Sequence, residues 1–237
     1  MKNHLTLWLS FAVLLLYALD QVSKWCIVTW FIPPHPQTGA VMDRLPVLQG
    51  NGVLNFDLIH IHNTGVAFGL GNATVWAPYL FLGVQVVALV VLILLYSKDF
   101  FNTRLLKAAW VFVMAGVLGN MTDRLVQGFN LAGAEHLSFW ENVMNGRVID
   151  FLDFSFPWTG DLAVFINSFI PQFPADTFPE VYHWPAFNVA DSCVCIAACL
   201  FIISAFFFEP DPEADAELAG SDDDEGDLCS AATSQAS

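Results

Sequence analysis

Four apolar segments divide the chain; three have the length that a helix needs to cross a lipid bilayer, and the segment at 105–121 is shorter and carries Lys107 near its end. The hydrocarbon core of a bilayer is about 30 Å thick, which takes about 20 helical residues to span. The predicted spans cover residues 5–32, 76–96, 105–121 and 189–208, and Gln85 is the only polar side chain in the second. The pattern therefore predicts an all-α membrane protein with four transmembrane helices.

The first apolar segment has two interpretations. Residues 5–19 follow Lys2 and have the length of the apolar region of a cleaved signal peptide. No small-x-small cleavage site follows them, and the polar residues 20–24 lead into a second apolar run at 25–32. We therefore predict a retained transmembrane helix with a polar end.

The connections between the spans differ in pattern. Residues 53–62 alternate between apolar and polar side chains, and Asn51-Gly52 before them is a hairpin signal. We therefore predict a small extracytoplasmic β-structure between helices 1 and 2. Residues 125–185 are aromatic and interrupted by proline, with little periodicity. A connection of that length is expected to be functional or partly ordered against the membrane.

The density of Lys and Arg predicts the orientation of the spans. Lys2, Lys98, Arg104 and Lys107 crowd into the N-terminal stub and the short connection between the second and third spans, whereas the other basic residues are spread over two much longer connections. Because short cytoplasmic loops are enriched in basic residues, both termini are predicted to face the cytoplasm. The polar residues near the span ends then gather near the outer membrane surface.

Composition and charge support a membrane protein with an acidic tail. The chain is 56% hydrophobic and 13% charged, whereas soluble domains carry about 25% charged residues. Residues 209–237 hold ten acidic residues, no Lys or Arg and no aromatics, and account for most of the net charge of −15. We predict a disordered cytoplasmic tail after a membrane domain at 1–208. No basic stripe suggests a nucleic-acid partner.

An aspartate inside the last span is the first candidate for chemistry. Asp191 lies two residues into that span, where it is either stabilised by the helix N-terminus or functional. A carboxylate inside a bilayer is costly, and two that lie together share a proton and can activate water. The residues alone leave its partner open among Asp20, Asp123, Asp150 and Asp153.

Other chemistries have weaker support. His60 and His62 would share one face of a strand, but without a third ligand we interpret them as surface residues. The five cysteines, at positions 26, 193, 195, 199 and 229, lack the spacing of a zinc site or a disulfide framework. We predict no metal and no cofactor.

Five short motifs occur in order along the chain. They are DQVSK at 20–24, NTGVAF at 63–68, GNMTDR at 119–124, VIDF at 148–151 and FNVADS at 187–192. Each alone is weak, but all five on a four-span chain resemble the lipoprotein signal peptidase (type II signal peptidase) family over most of residues 1–208.

The resemblance implies an aspartic endopeptidase of the bacterial cytoplasmic (inner) membrane. Such an enzyme removes the signal peptide from diacylglyceryl-modified prolipoproteins on the N-terminal side of the lipidated cysteine. Its partners would be these prolipoproteins and membrane lipids; the oligomeric state stays open, and a monomer suffices. The matching positions imply a catalytic pair, Asp150 and Asp191. They also imply a set of substrate-binding or site-ordering residues: Asn63, Gly65, Asn120, Arg124, Asn188, Asp20 and Lys24.

The roles of four charged residues in or near these motifs need separate comment. Asp20 and Lys24 form an i,i+4 pair on one helical face. This pair either supports the site or is an ordinary ion pair at the membrane interface. Arg124 either pairs with the adjacent Asp123 or steadies the site, and the resemblance favours the second. Asp153 would lie one turn from Asp150 if that stretch were helical, and we treat it as a spectator.

Two insertions depart from the family pattern, at residues 125–146 and 155–185. Each would form a lid, a partner surface or a feature that alters substrate choice. The competing functional hypothesis is a non-catalytic membrane binding or carrier protein (a pseudoenzyme) of the same architecture. In such a protein Asp150 and Asp191 would be replaceable.

Overall fold

Four long helices form the body of the protein. The computed structural model describes residues 2–35, 38–50, 54–63, 65, 77–131, 133–157 and 181–207. Its helices are α1 (Lys2–Trp30), α2 (Ala77–Ser97), α3 (Arg104–Val126), the short α4 (Phe139–Met144) and α5 (Val189–Phe207). All except α4 are long and apolar enough to cross a membrane. The predicted fold class is thereby confirmed; the turn Asn51-Gly52 and the acidic tail lie outside the described residues.

Two of the helices contain buried charges, and one of them, α3, extends past its predicted span. Helix α1 is continuous through Asp20 and Lys24, which are both 1% exposed. Helix α3 runs to Val126 rather than ending at 121, because Asp123 and Arg124 are buried within it. Charged residues end an apolar run in the sequence, but they do not end a helix whose charges have partners.

Helix α3 lies at the centre of the bundle and contacts α1, α2 and α5. Two of its glycines allow close approach of the neighbouring helices. A Cβ atom on Gly116 would lie 2.5 Å from the Ala190 carbonyl oxygen, and one on Gly119 would lie 2.5 Å from an Asp20 carboxylate oxygen. The glycines therefore let α1 and α5 meet α3 at the level of Asp20.

An antiparallel sheet of four strands covers this end of the bundle. In order, its strands are β1 (Arg44–Gln49), β2 (Asn55–Asn63), β3 (Val148–Pro157) and β4 (Val181–His183). The predicted sheet between the first two helices is present as β1 and β2. Strands β3 and β4 come from the connection between α3 and α5, where no strand was predicted. Each face of β3 mixes apolar and acidic side chains, which hides the alternation typical of a strand.

A bulge in β2 decides which side chains meet across the sheet. Between positions 58 and 61, β2 takes three steps where β3 takes two. The extra residue shifts the alternation by one. Asn63 therefore shares a face with Asp150, while Asp57 shares the opposite face with Asp153. Because residues 148–157 form a strand and not a helix, Asp153 points away from Asp150 rather than lying one turn from it.

Candidate active site

Asp150 lies on β3 and is 2% exposed. Its Oδ2 accepts a hydrogen bond from Asn63 Nδ2 at 2.8 Å, and its Oδ1 accepts one from Asn188 Nδ2 at 2.7 Å. Burial, and then the charge of Asp191, raise the pKa of Asp150 to about 7, against the effect of the two amide donors. Both protonation states of this carboxyl are therefore populated near neutral pH.

Asp191 lies in the first turn of α5 and is joined to Asn188 by a reciprocal pair of hydrogen bonds. The Asp191 backbone N–H donates to Asn188 Oδ1 at 3.0 Å, and the Asn188 backbone N–H donates to Asp191 Oδ2 at 3.3 Å. This is the capping-box arrangement of a helix N-terminus. Because the Asn188 side chain also donates to Asp150, one residue caps α5 and ties the two aspartates together.

Asn120, on α3, holds the other oxygen of Asp191. Its Nδ2 donates to Asp191 Oδ1 at 2.8 Å. Its Oδ1 accepts from Lys24 Nζ at 3.1 Å and from Asn188 Nδ2 at 3.2 Å. These two donors fix the orientation of the amide, so that its NH2 group faces the carboxylate.

A buried group that we call the Lys24 cluster (Asp20, Gln21, Lys24 and Asp123) supports this arrangement. Lys24 Nζ lies 2.8 Å from a carboxylate oxygen of Asp20 and 2.8 Å from one of Asp123. The predicted i,i+4 pair of Asp20 and Lys24 is therefore present. Gln21 Nε2 donates to Asp20 at 3.0 Å and to Asp123 at 3.2 Å, which completes a network of buried charges with partners.

The same cluster anchors the backbone next to both candidate aspartates. Asp20 accepts a hydrogen bond from the Ala190 backbone N–H at 2.8 Å, one residue before Asp191. Asp123 accepts one from the Ile149 backbone N–H at 3.2 Å, one residue before Asp150. The Lys24 cluster thereby fixes β3 and α5 relative to each other.

Sequence reasoning missed two members of this cluster, Gln21 and Asp123. The available signal was helical geometry: consecutive residues on a helix point in different directions, so Asp123 and Arg124 do not face the same neighbours. Asp123 points toward Lys24 on α1, and the alternative in which Arg124 pairs with Asp123 is wrong.

Arg124 faces the other side, toward α2. Its Nη2 donates to the Gly65 carbonyl oxygen at 2.8 Å, and its guanidinium lies 5.1 Å from the centroid of the Phe81 ring. Gly65 in turn donates its backbone N–H to Asn63 Oδ1 at 2.9 Å. Arg124 therefore steadies the segment whose Asn63 side chain holds Asp150. Its Nε and Nη1 are buried without a partner among the described residues.

Lys24 and Arg44 form ion pairs with aspartates other than the two candidates. Among the ion pairs of the described residues, Lys24 binds Asp20 and Asp123, and Arg44 binds Asp57 and Asp153. None includes Asp150 or Asp191. The two candidate aspartates instead accept hydrogen bonds from neutral amide groups. Because no cation among the described residues forms an ion pair with either carboxyl, neither is held in its ionised form and either can carry a proton.

Both aspartates line one cavity of about 790 Å³. Its walls come from α2, α3, α5 and the sheet, and apolar side chains dominate them. The lining includes Asn63, Gly65, Phe81, Val84, Gln85, Ala88, Gly116, Val117, Asn120, Arg124, Val148, Asp150, Trp184, Phe187, Asp191, Ser192, Val194, Cys195 and Ile196. Most of the predicted site residues therefore meet at one cavity. The exceptions, Asp20, Lys24 and Asn188, lie behind its wall.

The histidine pair lies apart from this cavity lining. The interpretation of His60 as a surface residue is wrong, because it is 2% exposed, and its ring lies 4.9 Å from that of His62. Burial, followed by the charges of His60 and Arg147, lowers the pKa of His62 to about 4. No group of three or more His, Cys, Asp or Glu side chains suited to a metal ion occurs in the part of the chain that the structure describes.

The chain is similar in sequence to a known family over most of its length. Residues 12–207 match the profile of the family described as signal peptidase (SPase) II. The lipoprotein signal peptidase of Nitratidesulfovibrio vulgaris is 33% identical over 215 residues, covering 90% of this chain and 95% of that protein. That of Alteromonas mediterranea is 32% identical over 202 residues, covering 84% and 79% respectively.

The fold also matches a solved bacterial membrane enzyme, determined by the in meso method. The two chains superpose with a TM-score of 0.54 at 21% identity, over 86% of this chain and 92% of the other. Fold, sequence and family profile agree. The chain therefore belongs to the signal peptidase II family, membrane peptidases that act on lipoprotein precursors.

Proposed function

We propose that this protein is an aspartic endopeptidase that removes the signal peptide from diacylglyceryl-modified prolipoproteins. It cuts on the N-terminal side of the lipidated cysteine, using a water molecule activated by Asp150 and Asp191. The observation that carries the proposal is that the buried Asp150 and the half-buried Asp191 line one cavity and are both held by neutral amides.

In the proposed reaction the pair holds one proton. The protonated carboxyl donates a hydrogen bond to the carbonyl oxygen of the scissile peptide bond, while the ionised one takes a proton from water. The water oxygen attacks the carbonyl carbon and forms a tetrahedral intermediate. As the C–N bond breaks, a proton passes to the nitrogen of the lipidated cysteine. The raised pKa of Asp150 supports a singly protonated pair near neutral pH.

The other site residues take positioning roles in this proposal. Asn63, Asn120 and Asn188 set the directions of the carboxylates, since each donates to one or both of them. Asp20 and Lys24 hold the elements that carry the pair. Arg124 and Gly65 shape the wall beside Asn63.

We also propose a bacterial cytoplasmic (inner) membrane location with both termini in the cytoplasm and the site near the outer leaflet. The polar residues of the site lie at one end of α1, α3 and α5, beside the sheet. A diacylated cysteine keeps its acyl chains in the bilayer, so its scissile bond lies near the membrane surface at the same depth. A monomer suffices, because one chain supplies both aspartates.

The proposal is tested with purified protein in lipid and two matched substrates. One is a prolipoprotein whose cysteine carries a diacylglyceryl group, and the other is the same polypeptide without the lipid. Mass spectrometry of the products should show cleavage directly before the cysteine, in the lipidated substrate only. Failure to cleave several lipidated substrates would favour a binding role, and cleavage at another bond would refute the proposed specificity.

A further inference from the structure

Three aromatic side chains form an exposed cluster in the connection after α3. Phe139 and Trp140 are the first two residues of α4 and are 62% and 70% exposed. Phe129, also exposed, lies in a short 3-10 helix (Gln127–Asn130) that follows α3. The ring centroids of Phe129 and Phe139 lie 5.5 Å apart, and those of Phe139 and Trp140 lie 5.3 Å apart. We call these three residues the aromatic patch. Contiguous exposed apolar side chains mark contact with a membrane or a partner.

The helix that presents the aromatic patch is well fixed on the protein. Ser138 caps α4: its hydroxyl accepts a hydrogen bond from the Glu141 backbone N–H at 3.3 Å, and its backbone N–H donates to the Glu141 carboxylate at 2.8 Å. Asn142 and Val143 of the same helix are buried, and Asn142 Nδ2 donates to the Ala134 carbonyl oxygen at 3.0 Å. The exposed rings therefore belong to a folded segment with a packed side of its own.

The aromatic patch lies at the end of α3 that carries the site. A Cβ atom on Gly146 would lie 1.7 Å from the Arg124 carbonyl oxygen, so the chain after α4 packs directly on the end of α3. Arg124 itself lines the cavity. Helix α3 and the 3-10 helix form one candidate membrane span, Arg104–Asn130, and Phe129 lies in its last turn. The aromatic patch therefore lies where this span leaves the bilayer.

Residue type and charge favour lipid as the partner of this surface. The patch continues the apolar surface of α3, since Leu125 and Val126 at the end of that helix are exposed. Residues 125–146 contain no Lys or Arg, so attraction to anionic headgroups cannot drive the contact. Aromatic rings suit the membrane–water interface, where the ring of Trp140 can contact acyl chains while its N–H stays near water.

We propose that the aromatic patch inserts into the interfacial layer of the bilayer, on the side of the site, and anchors α4 there. Its partner is lipid of any headgroup charge. Only residues 145–147 separate α4 from β3, the strand that carries Asp150, so the anchor also fixes the height of the site relative to the membrane surface. This inference goes beyond the proposed peptidase reaction and does not depend on it.

The test measures lipid contact with a nitroxide label on the full chain in uncharged phosphatidylcholine bilayers. In a chain whose five cysteines are replaced by alanine, Trp140→Cys or Phe139→Cys supplies the one thiol for the label. Collisions with oxygen, which dissolves in the bilayer, are compared with collisions with a water-soluble nickel complex. The matched control is Glu135→Cys, at a charged position of the same connection whose side chain is 69% exposed. We expect the ratio of oxygen to nickel collisions to be severalfold higher at 139 and 140 than at 135.

Two results would overturn the inference. A ratio at 139 and 140 no higher than at 135 would place the aromatic patch in water. Labels shielded from both reagents would show that a second copy of the chain covers it instead of lipid. Because the label reports contact and not cleavage, a protein that cuts no lipidated substrate would refute the proposed function and leave the anchor in place.

Discussion

Two clusters among the described residues place one cation between two buried aspartates, and the two cations differ in burial. The Lys24 cluster lies among α1, α3, α5 and β3, and the Lys24 side chain is 2% exposed. What we call the Arg44 cluster (Arg44, Gln49, Asp57, Asp153 and His183) lies on the face of the sheet opposite Asp150. There Arg44 contacts Asp57 and lies 2.6 Å from Asp153, and its side chain is 40% exposed.

The two clusters have different structural roles. The carboxylates of the Lys24 cluster accept backbone hydrogen bonds from Ala190 and Ile149, beside the candidate aspartates. The Arg44 cluster links β1, β2, β3 and β4 through side chains only, including His183, whose Nδ1 lies 3.1 Å from Asp153. Removing the cation of the Lys24 cluster should lower the free energy of unfolding strongly, because the lysine itself is buried. In the Arg44 cluster, solvent around Arg44 screens its ion pairs.

The largest effect is expected at the buried cation. Lys24→Met leaves the carboxylates of Asp20 and Asp123 buried without their cation, which costs about 3–5 kcal/mol in similar sites. We expect the free energy of unfolding in detergent to fall by that amount and the activity to fall with it. A variant as stable as the wild type would contradict the structural role of the Lys24 cluster.

A smaller effect is expected on the pH dependence of the reaction. Because the pKa of Asp150 is raised to about 7, raising the pH through that value removes the proton shared by the pair, and kcat/KM should fall. Asn63→Ala removes a donor that favours the ionised form, so the pKa of Asp150 should rise. The midpoint of the alkaline limb should then move to higher pH.

The Arg44 cluster supplies the matched control for this pH experiment. Gln49 donates to Asp57 at 2.9 Å, as Asn63 donates to Asp150, but on the opposite face of the sheet. Gln49→Ala should leave the midpoint in place. A midpoint that stays fixed or moves to lower pH in Asn63→Ala would show that Asp150 does not control the alkaline limb.

The smallest effect is expected at the exposed cation. Arg44→Met is the counterpart of Lys24→Met, and it should lower the free energy of unfolding by less than Lys24→Met does, because solvent screens the exposed Arg44 and Gln49 and His183 still bond Asp57 and Asp153. Cleavage rates per folded protein should match those of the wild type. A loss as large as that of Lys24→Met would remove the distinction between the two clusters.

The sequence was sufficient to predict the four helices and part of the polar network. Long apolar runs are a local signal, and the pairing of Asp20 with Lys24 follows from helical spacing alone. The capping pair of Asn188 and Asp191 was not predicted, although it too is local, three residues apart. Geometry within one helix therefore accounts for the four helices and the pair of Asp20 and Lys24, whereas the other site residues followed from the resemblance of the five motifs.

The missed features depend on contacts between distant segments. Strand β3 pairs with β2, although α2 and α3 lie between these strands in the sequence. Both faces of β3 carry apolar and acidic side chains, so its sequence shows no clear alternation of apolar and polar residues. The bulge in β2, which turns Asn63 toward Asp150, has no signal in the sequence. Asp123 contacts Lys24 across two helices, and only the packing of α1 on α3 makes that contact possible.

We propose that Asp150 and Asp191, and not Asp153 on the opposite face of β3, perform the chemistry. Asp150→Asn, Asp191→Asn and Asp153→Asn should be compared for cleavage of one diacylglyceryl-modified prolipoprotein, per folded protein. We expect the first two to lose activity by orders of magnitude, because an amide can neither take a proton from water nor share one with its partner. Asp153→Asn should remain active. Near-normal rates for Asp150→Asn or Asp191→Asn would contradict the assignment of the catalytic pair.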